Sequence, residues 1–157
     1  MAMGGDPIRG AGAPTERARW MGVLARASRA TLEAFWAGLP SLPRFEALKP
    51  PETGLVMLRG RTGGDGAAFN LGEMTVTRCV LRAPDGTLGF GYVAGRDRRH
   101  AELAAAFDAL LQMPAHADAL HAGLIAPLVA AQAEARARNW GDAARTRVEF
   151  FTLARDA

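Results

Sequence analysis

The stretch TLGFGYVAG at 87–95 limits the folds open to this chain more than any other. Successive side chains of a strand alternate between faces, so Gly89, Gly91 and Gly95 share one face with only Val93 between them. A face so bare demands close cover. A helix of the same chain, a partner chain or a ligand would each exploit the missing Cβ atoms. The preceding stretch GEMTVTRCVLR is rich in β-branched residues and is joined to the glycine strand by APDG at 83–86. Proline presets φ there and Asp-Gly suits a tight turn, so an antiparallel hairpin is predicted.

Helical periodicity surrounds these strands. Trp20, Val23, Leu24 and Ala27 fall on one helix face behind a capping Thr15, and Leu32, Phe35, Trp36 and Leu39 repeat the spacing behind Ser28. Gly38, Pro40 and Pro43 end helical structure. RFEALK at 44–49 then opens an extended region that Pro50 and Pro51 are expected to break. Residues 53–61, TGLVMLRGR, read as a further strand, with Leu55, Met57, Arg59 and Arg61 on one face and Val56, Leu58 and Gly60 on the other.

Asp97 is a natural cap for a helix carrying Leu103, Phe107, Leu110 and Leu111, which Pro114 stops. Leu120, Leu124 and Leu128 mark another helical stretch, with Pro127 kinking it or starting anew. Its alanine-rich continuation is expected to close at Gly141 and Asp142. TRVEFFTLAR at 146–155 alternates as a strand apolar on both faces, and such a strand wants cover on both sides. This order predicts an α+β domain with a mainly antiparallel β-sheet of about four central strands plus a C-terminal strand. N-terminal helices pack with it, and a helical segment precedes the last strand. The glycine-rich opening, 1–14, is expected to be a disordered lead-in to a single domain over 15–157.

At 157 residues and 49% hydrophobic content the chain suits one core, and a net charge of +3 is no polycation built to coat nucleic acid. Lys49 is the only lysine, so the cations are arginines, which bind carboxylate or phosphate with a two-toothed fork. A lone cysteine, Cys79, permits no internal disulfide, and its mid-strand position suits burial better than a thiolate role. No apolar run approaches the ~20 residues that span a bilayer, and no charged-then-apolar leader is visible, so a cytoplasmic location is expected.

Two places gather groups that hold anions. GRTGGDGAAFN at 60–70 offers flexible backbone, including Gly63, Gly64 and Gly66, flanked by Arg59 and Arg61 before it and Arg78 after it. It fits neither common phosphate-loop pattern and leads into a strand, so a hairpin turn explains the glycines as well. The second place is GRDRRHAE at 95–102, where Arg96, Arg98, Arg99 and His100 crowd a helix start whose dipole is already positive. An anionic partner would relieve that conflict; so would local pairing with Asp97 and Glu102. Metal binding is not expected, since His116 and His121 stand five apart, off the spacing that stacks ligands on a helix. No nucleophile motif is present.

Several long stretches, ETGLVMLRGRTGGDGAAFNLGEMTVTRC at 52–79, DGTLGFGYVAGRDRRHAELAAAFDALLQ at 85–112 and TRVEFFTLAR at 146–155 among them, are similar to one family. From Arg17 onward the chain resembles the PhnG family, small subunits of the bacterial carbon–phosphorus lyase core complex. The resemblance implies assembly with PhnH, PhnI and PhnJ, two copies of each, with PhnI the direct partner. It also implies joint action with PhnI, PhnH and PhnL, in which a phosphonate displaces adenine from ATP to give α-D-ribose 1-phosphonate 5-triphosphate. PhnJ, with an iron–sulfur cluster, performs the later bond cleavage, so no cofactor is expected in this subunit; ATP and phosphonate are substrates of the complex. No catalytic residue is assigned to the family's own chain. The expected interface residues are Gly63, Gly64, Gly66, Gly89, Gly91, Gly95, Phe150 and Phe151. The candidate anion contacts are Arg59, Arg61, Arg78, Arg96, Arg98, Arg99 and His100.

Overall fold

A computed structural model describes residues 14–61 and 66–145. The lead-in at 1–13, Gly63, Gly64 and the last predicted strand with Phe150 and Phe151 lie outside the described residues. Two helices open the chain, α1 (Glu16–Arg26) and α2 (Arg29–Ala37). Each starts at the predicted cap: the Thr15 hydroxyl accepts from the Ala18 N–H at 3.2 Å and Ser28 Oγ from the Thr31 N–H at 3.1 Å. Three antiparallel strands follow in the order β1-β2-β3: β1 (Glu46–Gly60), β2 (Phe69–Arg82) and β3 (Leu88–Ala94). Then come α3 (Arg98–Leu111), α4 (Pro114–Leu120), a π-helical turn (His121–Ile125) and α5 (Ala126–Arg145).

The α+β class is as expected, with three strands among the described residues instead of four. The two strands expected on either side of Pro50 and Pro51 are one. Register shifts between Ala47 and Lys49, and between Lys49 and Glu52, give β1 extra residues around the prolines. Among the described residues β1 is also an edge strand, where a missing N–H leaves no neighbour unpaired. The long helix likewise continues past Gly141 to Arg145, because Gly141 does not take the left-handed φ that ends a helix. Pro127 is absorbed by the π turn before it, in which the Ala126 N–H reaches back to the His121 carbonyl.

The core is organised around α3. From Ala101 to Leu111 nearly every residue is buried, which is the pattern of a helix covered on all sides. One side lies on the sheet against Thr77, Cys79, Leu81 and Val93; Phe107, fully buried, meets Phe35 and Trp36 edge-on from α2. The glycine face of β3 is where α3 comes closest. A Cβ added at Gly89 would sit 1.9 Å from the Ala105 carbonyl oxygen, and one at Gly91 1.9 Å from that of Ala101. The alanines of α3 and the glycines of β3 let two backbones approach to contact distance. Gly95 serves a different purpose: its φ of +89° turns the chain out of β3, and the Thr77 hydroxyl donates to its carbonyl at 2.8 Å.

Candidate interaction site

The structure disperses the predicted anion contacts and assigns partners to several. His100 is buried, and its Nε2 lies 2.9 Å from the Leu24 carbonyl, so its ring ties α3 to α1. The Asp97 carboxylate accepts from the His100 N–H at 3.0 Å, the expected cap. Arg99 reaches Glu102 at 2.7 Å and Glu33 at 3.6 Å, while Asp97 faces Arg29 at 3.5 Å. Local pairing thus neutralises Arg99 but leaves Arg96 and Arg98 at the helix start. Arg78 pairs across strands with Glu52 at 3.1 Å. Arg61 Nη1 donates to the Gly66 carbonyl at 3.2 Å, drawing the arginine toward the hairpin loop. Arg59, Arg96 and Arg98 are exposed and have no ion pair among the described residues.

The expected glycine interface is corrected in part. Gly89 and Gly91 are covered by α3 of the same chain, so their face offers nothing to a partner. Gly95 stands in open space, at a turn and not on the packed face. Gly66 is half-buried at the loop. Cys79 is 1% exposed, and burial, with a smaller contribution from the Glu102 charge, pushes its thiol up to about 11. That environment is inert, as its mid-strand position suggested.

Sequence reasoning missed the most densely bonded polar group, Asp108. Fully buried on α3, it accepts from Arg17 Nη2 at 2.7 Å and Nε at 3.2 Å, from Trp20 Nε1 at 2.9 Å and from the Phe90 N–H at 2.9 Å. Arg17 also donates to the Leu88 carbonyl at 3.0 Å. With four donors on its two oxygens, this carboxylate locks α1, β3 and α3 together. The only signal in the sequence was an aspartate within an otherwise apolar helical stretch.

Among the described residues, two projections stay open. β3 pairs with β2 only over residues 76–82, so β1 and β2 run on together as a two-stranded arm over 55–60 and 69–75. Leu55, at 63% exposure, and Leu71, at 61%, lie along this arm with Met57, Leu58 and Phe69. The distal half of α5 is similar. Beyond Gln132, which donates to the Val23 carbonyl at 2.9 Å, residues 133–141 are almost wholly exposed, and Trp140 stands 77% exposed. Isolated two-stranded ribbons and short alanine-rich helices are marginal in water, so both elements present surface that a partner would stabilise. The outer sheet face adds Leu88, Phe90 and Tyr92 beside the cross-strand pairs of Arg78 with Glu52 and Arg82 with Glu46.

Comparison with known proteins gives concordant results. The family described as "Phosphonate metabolism protein PhnG" matches residues 15–156. A relative from Rhizobium meliloti (strain 1021), named alpha-D-ribose 1-methylphosphonate 5-triphosphate synthase subunit PhnG, is 44% identical over 143 residues, 89% of this chain and 89% of its own.

Proposed function

Because the chain belongs to the PhnG family, we propose that it is a non-autonomous subunit of a multisubunit synthase in phosphonate metabolism. The likeness to a named synthase subunit over 89% of both chains carries this reading. The geometry supports it. Among the described residues, apolar side chains along the hairpin arm and Trp140 on α5 are left uncovered, whereas Asp108 and His100 are both spent on internal bonds.

In this reading the complex uses ATP and a phosphonate. A phosphonate oxygen bonds to C1 of the ribose, the bond from C1 to adenine breaks, adenine takes a proton as it leaves, and the triphosphate stays on C5. PhnI is the direct partner, PhnH and PhnL are also needed, and the bond cleavage by PhnJ comes later. The loop and strand ends around 60–79 shape the subunit interface. Arg59, Arg96 and Arg98 are the arginines best placed to contribute to an anion, being exposed and without an ion pair among the described residues; Arg61 follows from its place at the loop.

A second reading makes the chain a purely structural adaptor with no residue in the reaction site. The pairing of Arg78 and Arg99 and the burial of His100 favour it. Co-expression with the PhnI homologue of the same genome, followed by size-exclusion chromatography with mass detection, tests the subunit reading through a shared peak of defined stoichiometry. Turnover of the assembled complex carrying Arg59→Ala, Arg61→Ala or Arg98→Ala then separates the two readings. Lost activity in an intact complex supports a contribution to the reaction, and unchanged activity in all three supports the adaptor.

A further inference from the structure

The hairpin arm and the free half of α5 leave the body at the same end. Arg17, early in α1, meets the Leu88 carbonyl at the start of β3 and Asp108 late in α3. Leu24, late in α1, meets His100 at the start of α3. α1 therefore runs with β3, and so with β1, toward the end marked by Ala94–Arg98. α5 follows α1 in the same sense: His121, just before it, stands 4.0 Å from Glu16 and edge-on to Trp20, while Gln132 bonds Val23 and Arg26. Residues 133–145 carry the helix about 20 Å further. β1 runs roughly 20 Å past Gly54 to Gly60. Between the two bases lie Gly95–Arg99 and the Arg29–Asp97 pair.

We propose that these two projections and the floor between them form one cleft that clasps an element of a partner protein, apolar along its middle and acidic at its margins. The proposal rests on the subunit reading and adds where on this chain the partner sits and what chemistry it brings. The apolar part answers Leu55, Met57, Leu58, Phe69 and Leu71 on one side and Trp140 on the other. The acidic margin answers charge. Residues 54–61, 66–75, 95–99 and 133–141 contain seven arginines, at 59, 61, 96, 98, 99, 136 and 138, against three carboxylates, at 73, 97 and 134. Arg99 is held by Glu102 and Glu33 and Arg138 by Glu134, so the charge rests on Arg59, Arg96, Arg98 and Arg136, exposed and without an ion pair among the described residues. A second copy of this chain would bring the same excess of positive charge to the same place and be repelled. The aliphatic side chains suit a protein surface, where a nucleic acid would call for stacked aromatics and more cations.

Hydrogen exchange of the full chain, alone at low concentration and in the co-expressed assembly, tests this. Alone, 55–60, 69–75 and 133–141 are expected to exchange fast while 101–111 stay protected; in the assembly all three segments slow by about tenfold or more. Arg59→Glu/Arg96→Glu/Arg98→Glu and, separately, Leu55→Ser/Leu71→Ser are expected to weaken assembly about tenfold, the first set losing the salt sensitivity of the wild type. Protection at 101–111 reports that each variant's body is folded. Segments already protected in the isolated chain would mean that its own C-terminal residues or a second copy fill the cleft, overturning the proposal. An assembly that forms yet leaves the segments fast, or that both variant sets leave intact, also overturns it while the subunit reading stands. A wild-type chain that joins no assembly removes both.

Discussion

Arg17 and Asp108, 91 residues apart in the chain, meet as a fork on a buried carboxylate, with Nη2 and Nε at 2.7 and 3.2 Å from its two oxygens. The guanidinium is partly exposed and the carboxylate fully buried, so the pair seals the core beside the start of β3. Arg17→Ala would leave the charge with only the Trp20 and Phe90 N–H donors. Stability is expected to drop by about 3 kcal/mol, read as a lower urea midpoint. Arg17→Lys should recover only part of this, because an ammonium cannot make the two-toothed contact. A midpoint unchanged in Arg17→Ala would show that the fork contributes no stability.

Gly91→Ala and Gly54→Ala make an informative pair. At Gly91 the new methyl would overlap the Ala101 carbonyl, whereas at Gly54 nothing lies within 4 Å. The first is expected to cost 3 kcal/mol or more, about the upper range for overpacking, or to prevent folding. The second should stay within about 1 kcal/mol of wild type. Equal thermal midpoints for the two would contradict the packing of α3 on β3.

The raised thiol of Cys79 gives a pH dependence of known sign. Since the folded value of about 11 lies above the ordinary 9.0, the unfolded chain loses this proton first. Stability from this group is therefore complete below about pH 9 and declines as pH rises toward 11. Urea unfolding at pH 8 and pH 10.5 should show a larger loss in wild type than in Cys79→Ala. Iodoacetamide should label the folded protein far more slowly than the unfolded chain throughout this range.

Arg99 is held by Glu102 and Glu33, all three about half exposed. In the assembled complex Arg99→Gln is expected to change turnover by no more than about twofold, because exposed pairs contribute little and this arginine is already committed. A much greater loss of turnover, with the complex intact, would return Arg99 to the anion site.

Local chemistry was legible because its causes are local. Thr15, Ser28 and Asp97 cap the helices that follow them, and Asp85 accepts the Thr87 N–H and hydroxyl at 2.9 Å in the tight turn, which lowers its carboxyl below the usual range. The bare face of β3 could be read as needing close cover, but not which of three occupants would supply it. His100 looked like a ligand because its capping neighbour was visible in sequence and the Leu24 carbonyl, 76 residues away, was not. Pro50 and Pro51 looked like a break because the edge position of β1 depends on strand order.

The sequence by itself determined the α+β class, the helix starts, the β2–β3 turn and the family, since each depends on short-range periodicity, on caps or on long matching stretches. Only the tertiary structure decided that α3 fills the glycine face, that Asp108 draws Arg17 and Trp20 to itself, and that the hairpin arm and α5 project from one end. Those outcomes depend on which distant backbones approach and which buried charges find partners, and no spacing along the chain encodes either directly.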